Sequence, residues 1–170
     1  MSPLTPPVPI ALIGIHTEIG EAVAKALRPD WDIVRFMQTF EAAQADLPYL
    51  LRGETPPAAP TNDVGSGVYA QPVRAVLMGR GFTQQQGEAL HEQFKDVAES
   101  SVLWAVGADA NRPPWVGGRS STEPPPGIVK VVVPALRGVL EEWKKGEEGA
   151  EGGEEEEKKK KKKGGVLVLY

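Results

Sequence analysis

The stretch that most constrains this chain is residues 10–37, where the apolar pattern changes from strand to helix and back within about 30 residues. Ile10–Ile15 is a short apolar run after a proline, which is typical of a strand buried on both faces. Glu18–Leu27 repeats apolar residues at helical spacing, with Thr17 as the predicted N-cap, and Trp31–Met37 is a second apolar run. This order predicts a parallel βαβ unit.

A second helix and a third strand are predicted after this unit. Thr39 is the expected N-cap of a helix that runs to Arg52, and Gly53 ends it. Residues 54–72 are rich in proline and small residues, so they are predicted to form a long surface loop. Val73–Met78 is a short, mainly apolar run and is the third predicted strand.

The next predicted helix begins at a capping box. Thr83 and Gln86 stand three residues apart, so each side chain can bond the backbone of the other. We expect this helix to end near Ser100 and to bury one apolar face. Its inward residues are predicted to be Leu90, Phe94 and Val97. Ser101–Val106 is then the fourth strand.

Two structures are open for the segment that follows the predicted loop at 107–127. Apolar residues from Val129 to Trp143 fall on one helical stripe, but Pro134 would interrupt a continuous helix. Either a kinked helix covers 128–145, or a strand at 128–133 leads into a helix with Pro134 in its first turn. The stripe continues through Trp143, which favours the helix.

The carboxyl-terminal part joins a charged repeat to an apolar end. Residues 147–164 are mostly Glu, Gly and Lys without apolar periodicity, so they are predicted to be a low-complexity charged linker. Residues 165–170 are predicted to form a strand, because Val166–Tyr170 is wholly apolar. We expect this strand to return to the same sheet as the domain formed by residues 1–146.

Composition excludes several kinds of site. The chain has no cysteine, which removes disulfides, thiolate nucleophiles and cysteine-based zinc sites. His16 and His91 are far apart and match no metal-ligand pattern, so no metal is expected. The formal net charge of −4 disfavours nucleic acid as a partner, because binding phosphates requires a basic face.

The sequence also bears on location. No apolar stretch approaches the roughly 20 residues that span a bilayer, so no membrane association is expected. Met1–Pro9 has no basic residue, which disfavours a secretory signal and favours the cytoplasm. Lys158–Lys163 resembles a nuclear-targeting patch, but the acidic run before it favours a solvated repeat.

One turn carries a recognisable pattern. Residues 13–20, Ile-Gly-Ile-His-Thr-Glu-Ile-Gly, lie between the first strand and the first helix, where backbone N–H groups can meet a pyrophosphate. The turn resembles the T-G-x-x-x-G-x-G motif of short-chain dehydrogenases and NmrA-like proteins, with Gly14 and Gly20 as the first and last glycines. The resemblance covers residues 9–38 and implies an NAD(P)-binding, Rossmann-like fold.

The resemblance implies a site for NADP or NAD at this turn. Arg35 is the candidate for a 2′-phosphate at the end of the second strand. Arg80, Asp109 and Arg112 follow later strands, so we expect them at the same carboxyl edge, where they would form an anion pocket with His16. The predicted cofactor-binding residues are Gly14, His16, Thr17, Gly20, Arg35 and Arg80.

The chain departs from the family pattern at several positions. Glu18 replaces the middle glycine of the turn, where a carboxylate would repel a pyrophosphate. The family's catalytic Tyr-x-x-x-Lys is absent, because Gly53 stands four residues after Tyr49 and Val73 four residues after Tyr69. No catalytic residue is therefore carried over.

We expect an α/β fold, a three-layer sandwich with a mainly parallel, five-stranded sheet and right-handed crossovers. The strand order is 2-1-3-4-5 or its Rossmann counterpart. The predicted function is a degenerate NAD(P)-binding domain of unassigned activity, related to oxidoreductases. In the alternative, the glycines serve only tight packing, as in flavodoxin-like folds, and the chain is a non-enzymatic interaction or scaffold module. Both interpretations allow a homo-oligomer.

Overall fold

The structure is a computed structural model, and it describes residues 6–79, 81–98, 102–107, 127–149 and 166–170. Within these ranges strands and helices alternate along the chain. The elements are β1 (Val8–Ile13), α1 (Thr17–Leu27), β2 (Trp31–Met37), α2 (Phe40–Arg52), β3 (Ala75–Met78), α3 (Gln84–Phe94), β4 (Leu103–Val106), α4 (Ile128–Gly149) and β5 (Val166–Leu169).

In the described part of the chain, five strands form one sheet in the order β2-β1-β3-β4-β5, and every neighbouring pair is parallel. This confirms the predicted α/β fold class and matches the first of the two predicted strand orders. The apolar end of the chain is the fifth strand, because Val166–Leu169 pairs with Leu103–Val106. β1 lies between β2 and β3, so its carboxyl end has a neighbour on either side.

The sheet separates two hydrophobic clusters. α1 and α4 cover one face, where Val23 and Leu136 belong to the same buried cluster. α2 and α3 cover the other face, where Leu47 and Leu90 belong to the second cluster. Because successive side chains of a strand point to opposite faces, the continuous apolar runs are buried on both sides. The predicted three-layer sandwich is confirmed.

The crossover through α4 differs in hand from the other three. Given the strand order and the face that each helix covers, the units containing α1, α2 and α3 share one hand. α4 joins neighbouring strands in the same direction along the sheet as α3 does, but it covers the opposite face. The expectation of uniformly right-handed crossovers is therefore wrong. The steric rule concerns a helix that packs back directly from its strand, whereas residues 107–127 and 150–165 separate α4 from β4 and β5.

β2 has the predicted bounds, whereas β1, β3 and β4 are shifted or shorter than predicted. β1 begins at Val8 and ends at Ile13, whereas the apolar run suggested 10–15. β3 and β4 begin at Ala75 and Leu103, later than predicted, because each pairs with only four residues of the other. The extent of a strand is set by its partners in the ladder, which the apolar pattern of one segment does not report.

The predicted helix caps of α2 and α3 are confirmed. The Thr39 hydroxyl accepts a hydrogen bond from the Ala42 N–H at 3.0 Å. At α3, the Gln86 N–H donates to Thr83 Oγ1 at 3.1 Å, and the Thr83 N–H donates to Gln86 Oε1 at 2.9 Å. These bonds satisfy backbone donors that lack partners within the helix.

α3 ends at Phe94, so the predicted end near Ser100 is wrong. A tight turn follows this point, in which the Val97 N–H donates to the Phe94 carbonyl, three residues earlier, at 3.0 Å. The turn still packs Val97 against the cluster under α2 and α3, as predicted.

The helix proposed for the segment after 127 is confirmed, and α4 passes through Pro134 without ending. Pro134 and Lys130 are both exposed, so water can bond the Lys130 carbonyl that the proline leaves without a donor. α4 continues to Gly149, past the domain boundary predicted at residue 146, and the rest of the predicted linker lies outside the described residues. No helix in the described ranges is long and apolar enough to cross a membrane.

The predicted loop at 54–72 contains no helix or strand, and part of it covers the free edge of β2. The N–H groups of Ser66 and Gly67 donate to the carbonyls of Ile33 and Val34 at 2.8 and 3.0 Å. An unpaired strand edge favours association with other chains. The loop therefore restricts pairing at this edge.

Candidate functional site

A pocket opens at the carboxyl edge of the sheet, between α1 and α4. It lies over the ends of β1 and β3, from which α1 and α3 depart to opposite faces of the sheet. Open α/β sheets bind ligands at such a topological switch point. With its mouth included, the pocket contains about 530 Å³ of open space. Its walls include Gly14, His16, Gly20, Phe36, Val132 and Leu136.

The ring of Phe36, near the end of β2, packs against both glycines of the β1-α1 turn. A Cβ atom on Gly14 would lie 2.9 Å from Phe36 Cε2, and one on Gly20 would lie 3.0 Å from Phe36 Cζ. Such distances are too short for ordinary carbon contacts. The close approach of this ring accounts for both glycines without a ligand, which supports the alternative that they serve tight packing.

The turn is held to both neighbouring strands by backbone bonds. The Gly14 N–H donates to the Met37 carbonyl at 2.9 Å, at the end of β2. The Gly79 N–H, just after β3, donates to the Ile13 carbonyl at 2.7 Å. The floor of the pocket is thus fixed by the sheet.

The sequence predicted Thr17 as the N-cap of α1, and this prediction is wrong. His16 holds that position with φ −99° and ψ 121°, and Thr17 is the first helical residue. Gln38 Nε2 donates to Thr17 Oγ1 at 3.1 Å and to the Ile15 carbonyl at 3.0 Å, so the hydroxyl is directed to the end of β2. The His16 side chain makes no capping hydrogen bond. Unlike α2 and α3, α1 therefore begins without a side-chain cap on its first N–H groups.

Of the two polar residues His16 and Glu18, only His16 lines the pocket. His16 is half-buried and is the one residue with a polar side chain among the described residues that line the pocket. Glu18 is exposed and is not part of the lining. Its carboxylate lies in the first turn of α1, where negative charge interacts favourably with the helix dipole.

Arg35 lies away from the pocket, so the structure does not bring it together with the other predicted site residues. Its Nε donates to Asp46 Oδ2 on α2 at 2.7 Å, and both side chains are buried. The remaining guanidinium nitrogens donate to the Ala58 carbonyl at 2.8 Å and the Tyr69 hydroxyl at 3.3 Å. The guanidinium that was expected to hold a 2′-phosphate is engaged in the protein's own structure.

The other predicted anion-binding residues, Arg80, Asp109 and Arg112, lie outside the described residues. Gly79 and Gly81, on either side of Arg80, both line the pocket. Gly14, His16 and Gly20 are brought together there, and Thr17 adjoins them.

The sequence did not predict that three apolar residues line the pocket: Phe36, Val132 and Leu136. Phe36 lies within the second predicted strand, where its apolar side chain is expected in the core. The α4 residues looked like ordinary core positions, and their approach to α1 depends on the unusual hand of the last crossover. A signal was present for Phe36 alone, since two glycines opposite a large aromatic residue can indicate close packing.

The site combines an apolar pocket with the uncapped start of a helix. That combination can bind a ligand with an apolar part beside an anionic part. The described residues contain no cluster of three or more side chains suited to holding a metal. Comparison of the chain with protein-family models, with curated proteins and with solved structures finds no match.

Proposed function

We propose that this domain binds a nucleotide, with NADP or NAD as the first candidates, and that it is a relative of oxidoreductases without their Tyr-x-x-x-Lys. The observation that carries the proposal is the pocket at the switch point, which is lined by the same turn that resembles a dinucleotide motif. A flat ring would enter the pocket, and a phosphate would meet the first N–H groups of α1.

The end of β2 does not select against NADP. In the family that the turn resembles, an acidic residue at this place bonds the ribose 2′-hydroxyl. Here the position is occupied by Gln38, which is uncharged and bonds the β1-α1 turn. The position therefore carries no carboxylate, and a 2′-phosphate would not be repelled by one there.

The test is calorimetric titration of the full chain with NADP, NAD and AMP, together with thermal unfolding. Binding to the native state stabilises it by mass action, by about 2.7 kcal/mol at a ligand concentration of 100 Kd. Gly14→Val should remove binding, because it fills the turn. Gly138→Val on the open side of α4 is the matched control, since no atom lies near its Cβ position. The absence of heat with all three nucleotides would overturn the proposal.

A second candidate function, an interaction module that pairs with another copy of the chain, is supported by two exposed apolar side chains, one at the pocket and one on α4. The exposed fraction of Ile15 is 43% and that of Val131 is 54%, and they are two of the three large apolar residues exposed in the described ranges. Large exposed apolar surface often marks an interface. Light scattering over a range of concentrations tests this candidate, and Val131→Asp should reduce any association. A monomer at every concentration would contradict it.

A further inference from the structure

We propose that the pocket between α1, α4 and the ends of β1 and β3 binds an uncharged apolar molecule, of the size of one aromatic ring or a short hydrocarbon chain. This inference goes beyond the nucleotide proposal, because it requires neither a phosphate nor the start of α1. It rests on the chemistry of the walls, on the space between them and on the apolar rim.

The walls are hydrocarbon on three sides. α1 contributes Ile19 and Val23, α4 contributes Val132 and Leu136, and Phe36 closes the side towards β2. His16, at the β1-α1 turn, is the one polar side chain among the described residues of the lining. A charged or strongly polar group placed against the hydrocarbon walls, away from that turn, would lose its hydration without gaining a partner. An apolar group would instead leave water for surfaces like its own.

Two glycines keep the pocket open, because they have no side chain that would fill it. The turn after β3 contributes Gly79 and Gly81 to the lining. A Cβ atom on Gly81 would collide with Ile15, at 2.5 Å from its Cδ1, so a larger residue there would displace the rim. The open space of about 530 Å³ includes the mouth.

The rim is apolar as well. Ile15 lines the pocket while 43% of it remains exposed. A ligand that reaches the rim would cover apolar surface that water now contacts. Burial of that surface favours binding.

The first experiment titrates the full-length protein with indole and follows the amide signals of Gly14, Gly20 and Gly81 by NMR. Saturable shifts at these residues are expected. Ile15→Ser should raise the apparent Kd about fivefold, since it removes apolar surface at the rim without disturbing a buried residue. Val68→Ser is the matched control, because Val68 is also exposed and does not line the pocket, and it should leave the Kd within about twofold.

The second experiment fills the pocket. Val132→Phe should abolish the indole shifts, whereas Val131→Phe, the neighbouring exposed position, should retain them. If Val132→Phe does not fold, the comparison of Ile15→Ser with Val68→Ser decides. Absence of saturable shifts in the wild type, or equal effects of the rim variant and its control, would overturn the proposal.

The two proposals can fail separately. Indole binding without nucleotide binding would support the apolar site and remove the nucleotide function. Nucleotide binding without indole binding would support the nucleotide function and overturn the apolar site.

Discussion

Arg35 and Asp46 form a buried ion pair in which Nε and Oδ2 are 2.7 Å apart and each side chain is 5% exposed. The pair joins β2 to α2. The same guanidinium bonds the carbonyl of Ala58 and the hydroxyl of Tyr69, so it also anchors the loop at 54–72. A residue that looked like a phosphate ligand in the sequence is thus a structural link among three segments.

Breaking this pair should destabilise the protein strongly. Arg35→Met and Asp46→Asn should each lower the free energy of unfolding by about 3–5 kcal/mol, because each leaves an uncompensated buried group. The double variant Arg35→Met with Asp46→Leu should lose less than the sum of the single changes, since no buried charge remains. Urea unfolding measures all three. The control is Arg52→Met, whose exposed pair with Glu54 contributes at most about 1 kcal/mol. Equal effects of Arg35→Met and Arg52→Met would contradict the prediction.

The packing of Phe36 on the turn predicts a specific coupling. Gly14→Ala should lower the free energy of unfolding by about 1–3 kcal/mol, because the added Cβ would press on the Phe36 ring. Phe36→Leu should reduce that loss by removing the ring edge, and a double-mutant cycle of unfolding free energies gives the coupling. Gly138→Ala, an open position in α4, should instead raise stability by about 0.5–1 kcal/mol. Additive effects of Gly14→Ala and Phe36→Leu would exclude this contact as the reason for the glycine.

The exposed carboxylate of Glu18 predicts a modest, salt-dependent effect on nucleotide affinity. If a phosphate binds at the start of α1, Glu18→Gln should tighten binding about two- to fivefold at low salt, by removing a like charge. The effect should shrink as salt rises, because exposed charges are screened. Glu41→Gln, the equivalent first-turn change in α2, is the control. Calorimetry that finds the same affinity for both variants and the wild type would place the phosphate elsewhere.

The carboxyl-terminal strand should be structural, and the charged run before it dispensable. The buried Tyr170 hydroxyl, just after β5, donates to the carbonyl of Met78 at the end of β3 at 2.6 Å, and β4 lies between these two strands. Tyr170→Phe should therefore lower the free energy of unfolding by about 1–3 kcal/mol, since it leaves a buried acceptor unpaired. Deleting 166–170 should lower the melting temperature further.

The matched change replaces 150–163 with a Gly/Ser linker of equal length, which should leave the melting temperature nearly unchanged. The motivation is the absence of any apolar periodicity in that run. A replacement as damaging as the deletion would refute the assignment of a linker.

Local patterns were sufficient to predict most elements of this fold. The strand, helix and strand of residues 10–37, the caps at Thr39 and Thr83 and the helix through Pro134 all depend on residues a few positions apart. Hydrophobic period and capping chemistry report such short-range relations directly. The five parallel strands and the clustering of Gly14, His16 and Gly20 follow from them, because parallel crossovers bring strand ends to one edge.

The contacts that define the site were decided only by the tertiary structure. Phe36 meets Gly14 and Gly20 because β2 returns beside β1, and Arg35 meets Asp46 because α2 packs back on β2. Val132 and Leu136 reach the pocket because α4 covers the face of α1 and not that of α3. An apolar stripe shows that a helix has a buried side, but it carries no information on which face of the sheet receives it. The face that a helix covers depends on the summed packing of distant segments. Because α4 covers the face of α1, residues that were predicted only as core also line the pocket.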